Sequence, residues 1–241
     1  MRADLPILPL VLEDVVYEAR GVRLIDRLNF AIEAGPRTII LGPNGAGKSL
    51  TLRLCHGLIQ PSSGRVEWRG PGARGARRRQ AMVFQRPVML RRSAAANIDY
   101  ALSLAGLERR TRARRVEEAL ERTGLSLLAR RPARVLSGGE QQRLALARAW
   151  ALGPDVVFLD EPTASLDPAA TRAVEDIVNA FHNSGAKIVM TTQDLGQARR
   201  LADEVIFLHR GRMLERESAE RFFSAPASPE ARAFVRGELL W

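Results

Sequence analysis

An α/β fold, with a mainly parallel sheet covered on both faces and a helical lobe set into it, is predicted by three features of this sequence. Short β-branched runs at residues 37–41, 156–159, 187–191 and 205–208 alternate with helical-period segments near 168–183 and 194–202. Buried strands separated by amphipathic helices are the pattern of a parallel sheet with helices on both sides. From residue 93 to about 152 the character changes, with apolar residues three and four apart, as in Val116, Ala119, Leu120 and then Leu144, Leu146, Ala147. That spacing predicts the inserted helical lobe. The 241 residues suffice for one sizeable α/β unit with such a lobe.

The elements follow in order. Residues 14–30 alternate apolar and polar positions around a turn at Arg20-Gly21, which predicts an antiparallel strand pair carrying Tyr17. The run 37–41 ends in Gly42-Pro43-Asn44-Gly45 and leads into 48–58, helical in spacing and closed by Gly57. Two more short strands are expected at 64–68 and 81–85, around an arginine- and glycine-rich loop with no apolar period. The tail from Ser218 reads as short helices. There is no internal repeat and no coiled-coil heptad pattern.

Composition excludes some classes. The 46% hydrophobic and 27% charged content is ordinary for a globular chain. No apolar stretch approaches the roughly 20 residues needed to cross a bilayer. Residues 1–12 are apolar, but Asp4 and two prolines interrupt them and no small-residue cleavage site follows, so a cytoplasmic chain is expected. Cys55 stands alone, beside only His56, and reads as a buried small hydrophobe on a helix. The net charge of +10 fits nucleic acid, an anionic membrane face or an acidic partner. Lys48 and Lys187 are the only lysines among 37 basic residues, a bias toward arginine that makes the clusters at 73–79, 109–115 and 130–134 solvated loops and helix faces. Against that background a lysine is informative, because a phosphate-binding loop needs a compact ammonium.

Lys48 lies in Gly42-Pro43-Asn44-Gly45-Ala46-Gly47-Lys48-Ser49, which fits GxxxxGK[ST] between a strand and a helix. In such a P-loop, glycines let backbone N–H groups face phosphates and the helix N-terminus favours the anion. Lys48 reaches the β and γ phosphates and Ser49 ligates magnesium. Asp160 and Glu161 end the apolar strand 156–159, where open α/β sheets gather their ligands. Asp160 suits the magnesium shell and Glu161 the polarising of an attacking water. Between the two lies Leu136-Ser137-Gly138-Gly139-Glu140-Gln141-Gln142-Arg143, a glycine-opened helix start whose N–H groups and serine hydroxyl suit a γ-phosphate.

The order of P-loop, LSGGEQQR and an apolar strand ending in Asp-Glu resembles the ATP-binding cassette (ABC) family over essentially the whole chain. The resemblance implies a P-loop NTPase: a RecA-like core with an antiparallel β-subdomain (1–86 and 153–241) and a helical subdomain (87–152). It implies a transport-coupled ATPase using MgATP, with two nucleotides sandwiched in a head-to-tail homodimer. Ser137, Gly138, Gly139 and Gln141 would then serve the opposite subunit's nucleotide, beside residues 42–49 and Leu50. Tyr17 would stack on adenine, and Gln85, ending its strand, would sense magnesium and the attacking water. The turn Ala164-Ser165-Leu166-Asp167 resembles the loop crossing the dimer seam, with Ser and Ala exchanged from SALD. Two departures matter more. Leu50 stands where the family usually has a hydroxyl, and Gln193 where it usually has a histidine at the γ-phosphate. Glutamine donates a hydrogen bond but relays no proton. Glu161, Lys48 and Gln193 are thus the expected catalytic set, with slow hydrolysis.

The partners implied are a separate permease at the cytoplasmic face of the membrane and an extracytoplasmic substrate-binding protein, with no nucleic acid. Residues 84–91 would receive the permease's coupling helix or pack into the helical lobe. The stretches GPNGAGKSL, VFQRPVMLRRS and DLGQARRLADEVIFLHRG resemble bacterial uptake ATPases for tungstate or related oxyanions, with phosphate, molybdate or a polar amino acid next. The alternatives are a soluble cassette acting on nucleic acid or ribosomes, and a regulatory cassette that barely hydrolyses ATP.

Overall fold

The computed structural model describes residues 6–238. Among the described residues, two sheets are built from nine strands. β1 (Leu10–Ala19), β2 (Val22–Ile32) and β4 (Ser63–Trp68) form an antiparallel sheet in the order β2-β1-β4. β3 (Thr38–Leu41), β5 (Gln80–Val83), β6 (Val156–Asp160), β7 (Lys187–Thr191), β8 (Glu204–His209) and β9 (Arg212–Ser218) form the second sheet, in the order β5-β6-β7-β3-β8-β9. It is parallel except for the β8–β9 pair.

Alternation along the strands explains why both faces are covered. Ile39 and Leu41 of β3, Val157 and Leu159 of β6, Ile188 and Met190 of β7, and Val205 and Phe207 of β8 enter one apolar core. Their intervening neighbours, Ile40, Val156, Phe158, Val189, Ile206 and Leu208, enter a second. A period of two on a doubly buried strand reads as an unbroken apolar run, which is how these segments appear in the sequence.

The helices divide between the two cores. α1 (Lys48–His56) packs with the antiparallel sheet, and Phe158 meets Trp68 and His56 edge-on at 6.5 Å and 5.9 Å. α2 (Ala94–Leu104), α3 (Arg109–Arg122) and α4 (Gly138–Leu152) lie in the chain between β5 and β6, and α5 (Pro168–Asn183) and α6 (Leu195–Leu201) flank β7. These five share the first core with α7 (Ala219–Ser224) and α8 (Pro229–Val235). The arginines of 109–115 lie on or near the solvated side of α3: Arg112 pairs with Asp99 at 2.8 Å and Arg114 with Glu118 at 3.6 Å.

One expectation is corrected and two elements are added. The strand expected to reach Gln85 ends at Val83, because Pro87 and the turn before it carry the chain away from the sheet. Between Leu208 and Ser218, where no element is expected, the chain forms β9, an edge strand whose polar sequence hides the alternation and whose only signal is the turn at Arg210-Gly211; beyond it the expected short helices are α7 and α8. Residues 73–78 contain a 3₁₀ helix in the loop taken as irregular. The apolar opening has a structural cause where it is described, since Ile7, Leu10 and Leu12 are buried in the second core; residues 1–5 lie outside the described residues. Cys55 is buried on α1, and burial pushes its thiol up to about 12.

Both lysines of the chain are buried. Lys187 donates to the Pro36 carbonyl, and burial pushes its ammonium down to about 8, opposed by Glu204, Asp203 and Glu33 and reinforced by Arg216. A base whose folded pKa lies below its unfolded value of 10.5 binds fewer protons when folded, so stability must rise as pH climbs through that window. Lys48 is shifted in the same direction. Urea unfolding is expected to show a gain of about 1 kcal/mol or more between pH 7 and pH 9, reduced in Lys187→Met. A flat or falling profile in the native chain would refute it.

Candidate active site

The carboxyl ends of β3, β6 and β7 converge, and the loops leaving them carry the chemistry. Backbone register fixes this, since Ile40 and Asp160 both pair with Thr191. Gly42 leaves β3 with φ of 152°, and a Cβ there would collide with the Leu208 carbonyl, so no other residue fits this start of the loop. At the other end, Gly47 precedes α1 with no side-chain cap, and no acidic residue lies in the first helical turn. The α1 N-terminus is thereby an anion-binding surface.

Lys48 folds back along the loop, donating to the carbonyls of Gly42 at 2.8 Å and Pro43 at 3.1 Å, with Glu161 Oε1 3.4 Å from its Nζ. Burial pushes its ammonium below its ordinary value, and the Glu161 carboxylate opposes that shift. A further anion here would offset the same desolvation. Ser49 Oγ donates to Asp160 Oδ1 at 2.7 Å, and Thr191 Oγ1 donates to the same oxygen at 2.9 Å. Hydroxyl and carboxylate are thus already convergent, as a hard cation with oxygen ligands requires. The donor set fits magnesium and the cradle fits a polyphosphate.

Glu161 is held by its backbone: its N–H donates to Thr191 O at 3.2 Å and Thr191 Oγ1 at 3.0 Å, and its φ is 43°. This left-handed turn, costing on the order of 1 kcal/mol for a non-glycine residue, places the carboxylate at Lys48. Gln85 follows Val83, which pairs with Leu159, so it emerges over the same sheet edge and is exposed. Gln193, two residues past β7, is likewise exposed there. Leu50 packs its side chain on the second core, leaving its backbone N–H as the only polar donor.

Tyr17 is half-buried on β1 opposite Ile25, and Ile25 lies against Gly47, so the antiparallel sheet places Tyr17 one cross-strand neighbour from the P-loop. A contact that the sequence reading missed fixes that approach. Gly211 accepts from Asp26 N at 2.9 Å and donates to Ala46 O at 3.1 Å, and a Cβ on it would strike the Leu24 carbonyl. The turn between β8 and β9 therefore clamps β2 to the P-loop; the Arg-Gly pair after an apolar strand was the available signal.

The LSGG segment is elsewhere. Ser137 caps α4, accepting from Glu140 N at 3.3 Å while Glu140 accepts from Ser137 N at 2.7 Å, and that bond holds the Glu140 carboxyl below its ordinary value. Gln141 donates to Leu136 O at 2.9 Å. Gly138 and Gly139 approach Leu166 and Ala170, and the side-chain hydrogen bonds of Ser137, Glu140 and Gln141 stay within residues 136–141. In the intervening turn Ser165 has φ of 63°, and Asp167 caps α5, accepting from Ala170 N at 2.8 Å. One subunit thus holds a phosphate cradle and a separate, exposed helix start.

A family profile described as ABC transporter matches residues 25–164. The chain is 37% identical to the phosphate import ATP-binding protein PstB 2 of Natronomonas pharaonis, over 92% of this chain and 84% of that one. It is 40% identical to the tungstate uptake system ATP-binding protein TupC of Peptoclostridium acidaminophilum (84% and 94%), and 37% to the methionine import ATP-binding protein MetN of Caulobacter vibrioides (91% and 69%). Among solved structures, a dimeric post-hydrolysis state of the ATP-binding cassette MJ0796 bound to ADP and Pi superposes with a TM-score of 0.78 at 26% identity, covering 87% of this chain and 98% of that one. No described helix is long and apolar enough to cross a membrane.

Proposed function

The chain belongs to the ABC transporter family and is an ATPase of that type, and from this premise we propose that it energises a separate membrane permease importing an oxyanion such as tungstate. The observation that carries the ATPase chemistry is the convergence of Lys48, Ser49, Asp160 and Glu161 at the ends of β3 and β6. Import and the oxyanion are supported by the phosphate and tungstate relatives; the methionine relatives make an amino acid the competing cargo.

In this reading the P-loop N–H groups and Lys48 hold the phosphates, and Ser49 and Asp160, with Gln85 nearby, would hold magnesium. A magnesium ion held by these residues would supply neutralisation of the charge on the phosphate oxygens. Glu161 accepts a hydrogen bond from the attacking water and Gln193 orients water or γ-phosphate by donation. Ser137, Gly138, Gly139 and Gln141 reach the nucleotide of a second copy, and Tyr17 stacks on its own subunit's adenine. We take residues 87–152 as the helical subdomain and the remainder as the core. Permease docking is assigned to a groove of about 460 Å³ lined by Phe84, Val88, Tyr100, Leu104 and Arg148. Val88 is 72% exposed at its rim while Met89 is buried, so residues 84–91 supply both packing and a docking edge beside Gln85. The assembly would sit at the cytoplasmic face, with a substrate-binding protein outside.

Phosphate release from MgATP over a range of protein concentrations tests the reading. Activity should rise more than proportionally with concentration, and Gln193→His should raise kcat by roughly tenfold, less than the about 100-fold or more of a full general acid–base contribution because glutamine already donates a hydrogen bond there. Unchanged turnover in Gln193→His would show that this position does not limit hydrolysis. Titrating the reconstituted permease complex with tungstate, phosphate and methionine separates the cargoes; stimulation by methionine alone would overturn the oxyanion assignment.

A further inference from the structure

Behind the turns that carry Glu161 and Gln193 lies a polar cluster with no part in the chemistry above. Gln197 of α6 is fully buried. Its Nε2 donates to Thr163 Oγ1 at 2.9 Å and lies 3.4 Å from Glu175 Oε1 of α5. Glu175, also buried, accepts from Arg200 Nη2 at 2.6 Å and Nε at 3.0 Å. Burying this many polar groups between two amphipathic helices is costly unless each is bonded, and one is not: Gln197 Oε1 is buried without a partner. A leucine in its place would leave Thr163 unrestrained, and a glutamate would set a second carboxylate against Glu175. The two N–H donors of a neutral carboxamide can serve a hydroxyl and a carboxylate together.

The places this cluster joins give it a meaning. Thr163 stands two residues after Glu161, at the head of the turn containing Ser165. Gln197 stands four residues after Gln193, one turn into α6, and its own N–H donates to the capping Asp194 at 2.9 Å. Asp194 N in turn donates to Thr192 Oγ1 at 3.1 Å. Gln193 is therefore bracketed by Thr192 and Asp194, both tied to the helix that grips Thr163. The strand ends that lead into these turns are already joined at Thr191, which accepts from Glu161 N and donates to Asp160; the Thr163–Gln197 bond is a second tie, placed beyond the strands.

We propose that Gln197 is a positioning residue for hydrolysis: it holds the Glu161 turn and the Gln193 turn in one register through Thr163, with the Glu175–Arg200 pair as its anchor. This rests on the roles given above to Glu161 and Gln193. Because neither Thr163 nor Gln197 is placed at the phosphates, losing their bond loosens the geometry of the water and base while leaving nucleotide affinity intact.

The test uses the full chain with Thr163→Val, which removes the hydroxyl at nearly constant shape, Thr163→Ser, which keeps it, Gln197→Met, and the double variant Thr163→Val/Gln197→Met. Phosphate release gives kcat and KM, and a fluorescent ATP analogue gives Kd. Thr163→Val and Gln197→Met are expected to lower kcat about tenfold, the scale of a small misplacement of catalytic groups, with KM and Kd within about twofold of native. Thr163→Ser should retain native kcat, and the double variant should be no slower than the slower single, as expected of one shared bond. Native kcat in Thr163→Val, failure of serine to restore it, or losses that multiply in the double variant would each overturn the proposal. Should Gln197→Met not fold, the valine and serine variants decide alone. Glu161→Gln, run in parallel, separates the two levels. Turnover surviving in it removes the base assignment itself, whereas its loss beside native kcat in Thr163→Val removes only the positioning role.

Discussion

Glutamine in place of Glu161 is expected to lower phosphate release by about a thousandfold, within the range for removing a general base, while MgATP binding persists or tightens. The substitution leaves the turn intact, because Glu161 is held there by its backbone N–H to Thr191 and not by its side chain. What changes is one charge. The carboxylate 3.4 Å from Lys48 competes with an incoming phosphate for that ammonium and also repels it; the amide does neither. Affinity and turnover should therefore move in opposite directions, a signature that misfolding cannot produce. Phosphate release and analogue binding on the same preparation check it, with size-exclusion chromatography in MgATP reporting whether the arrested protein accumulates as a dimer. Turnover within tenfold of native would remove Glu161 from the role of base.

How much of this was legible beforehand depends on the range of the interaction involved. The P-loop is local in sequence: Gly42, Gly47, Lys48 and Ser49 are constrained by one strand, one turn and one helix start, so the pattern alone places them. The β6 end was legible for a similar reason, since five consecutive buried residues, four apolar and then Asp160, leave little choice of element. Gln85 shows the limit. Its run of apolar neighbours suggested two more residues of strand, but Pro87 removes a backbone donor and the chain bends before it. β9 was missed because its sequence, RMLERES, is polar on both sides, as an edge strand against solvent allows; what pins it is the β8 register, which is non-local.

Contacts made between distant turns were the least visible. Gly211 is 162 or more residues from every P-loop position, yet its two hydrogen bonds set the distance from β2, and through Ile25 that of Tyr17, to the nucleotide cradle. The relay of Thr163, Gln197 and Glu175 has the same character: each residue is ordinary in its own segment, and only the packing of α5 against α6 joins them. Arginine bias worked in the opposite direction, because it made lysine rare. Both lysines are buried and hydrogen-bonded to backbone carbonyls, so the scarcity itself marked positions where a compact ammonium is needed.

Mixing two inactive variants is expected to restore activity if the Ser137 helix start serves the partner's nucleotide. Lys48→Ala disables a P-loop and leaves Ser137 intact; Ser137→Arg does the reverse. Each should be inactive alone, the first by loss of phosphate binding and the second by a bulky cation at the helix start. The second also loses a cap worth about 1 kcal/mol, which a thermal scan can account for. In a two-fold dimer the two sites are equivalent, so a mixed pair has one site with both defects and one with none. With equal amounts and free exchange, about half the dimers are mixed and about a quarter of all sites are whole, which sets the ceiling on recovered turnover. Were Ser137 to act on the nucleotide of its own subunit, every site in every dimer would carry one defect and the mixture would stay inactive. Gly138 and Gly139, next to Ser137, lie against Leu166 and Ala170, and the side-chain hydrogen bonds of Ser137, Glu140 and Gln141 stay within their own segment, which favours recovery. Phosphate release from the mixture, measured against each variant alone at the same total concentration, decides between the two arrangements.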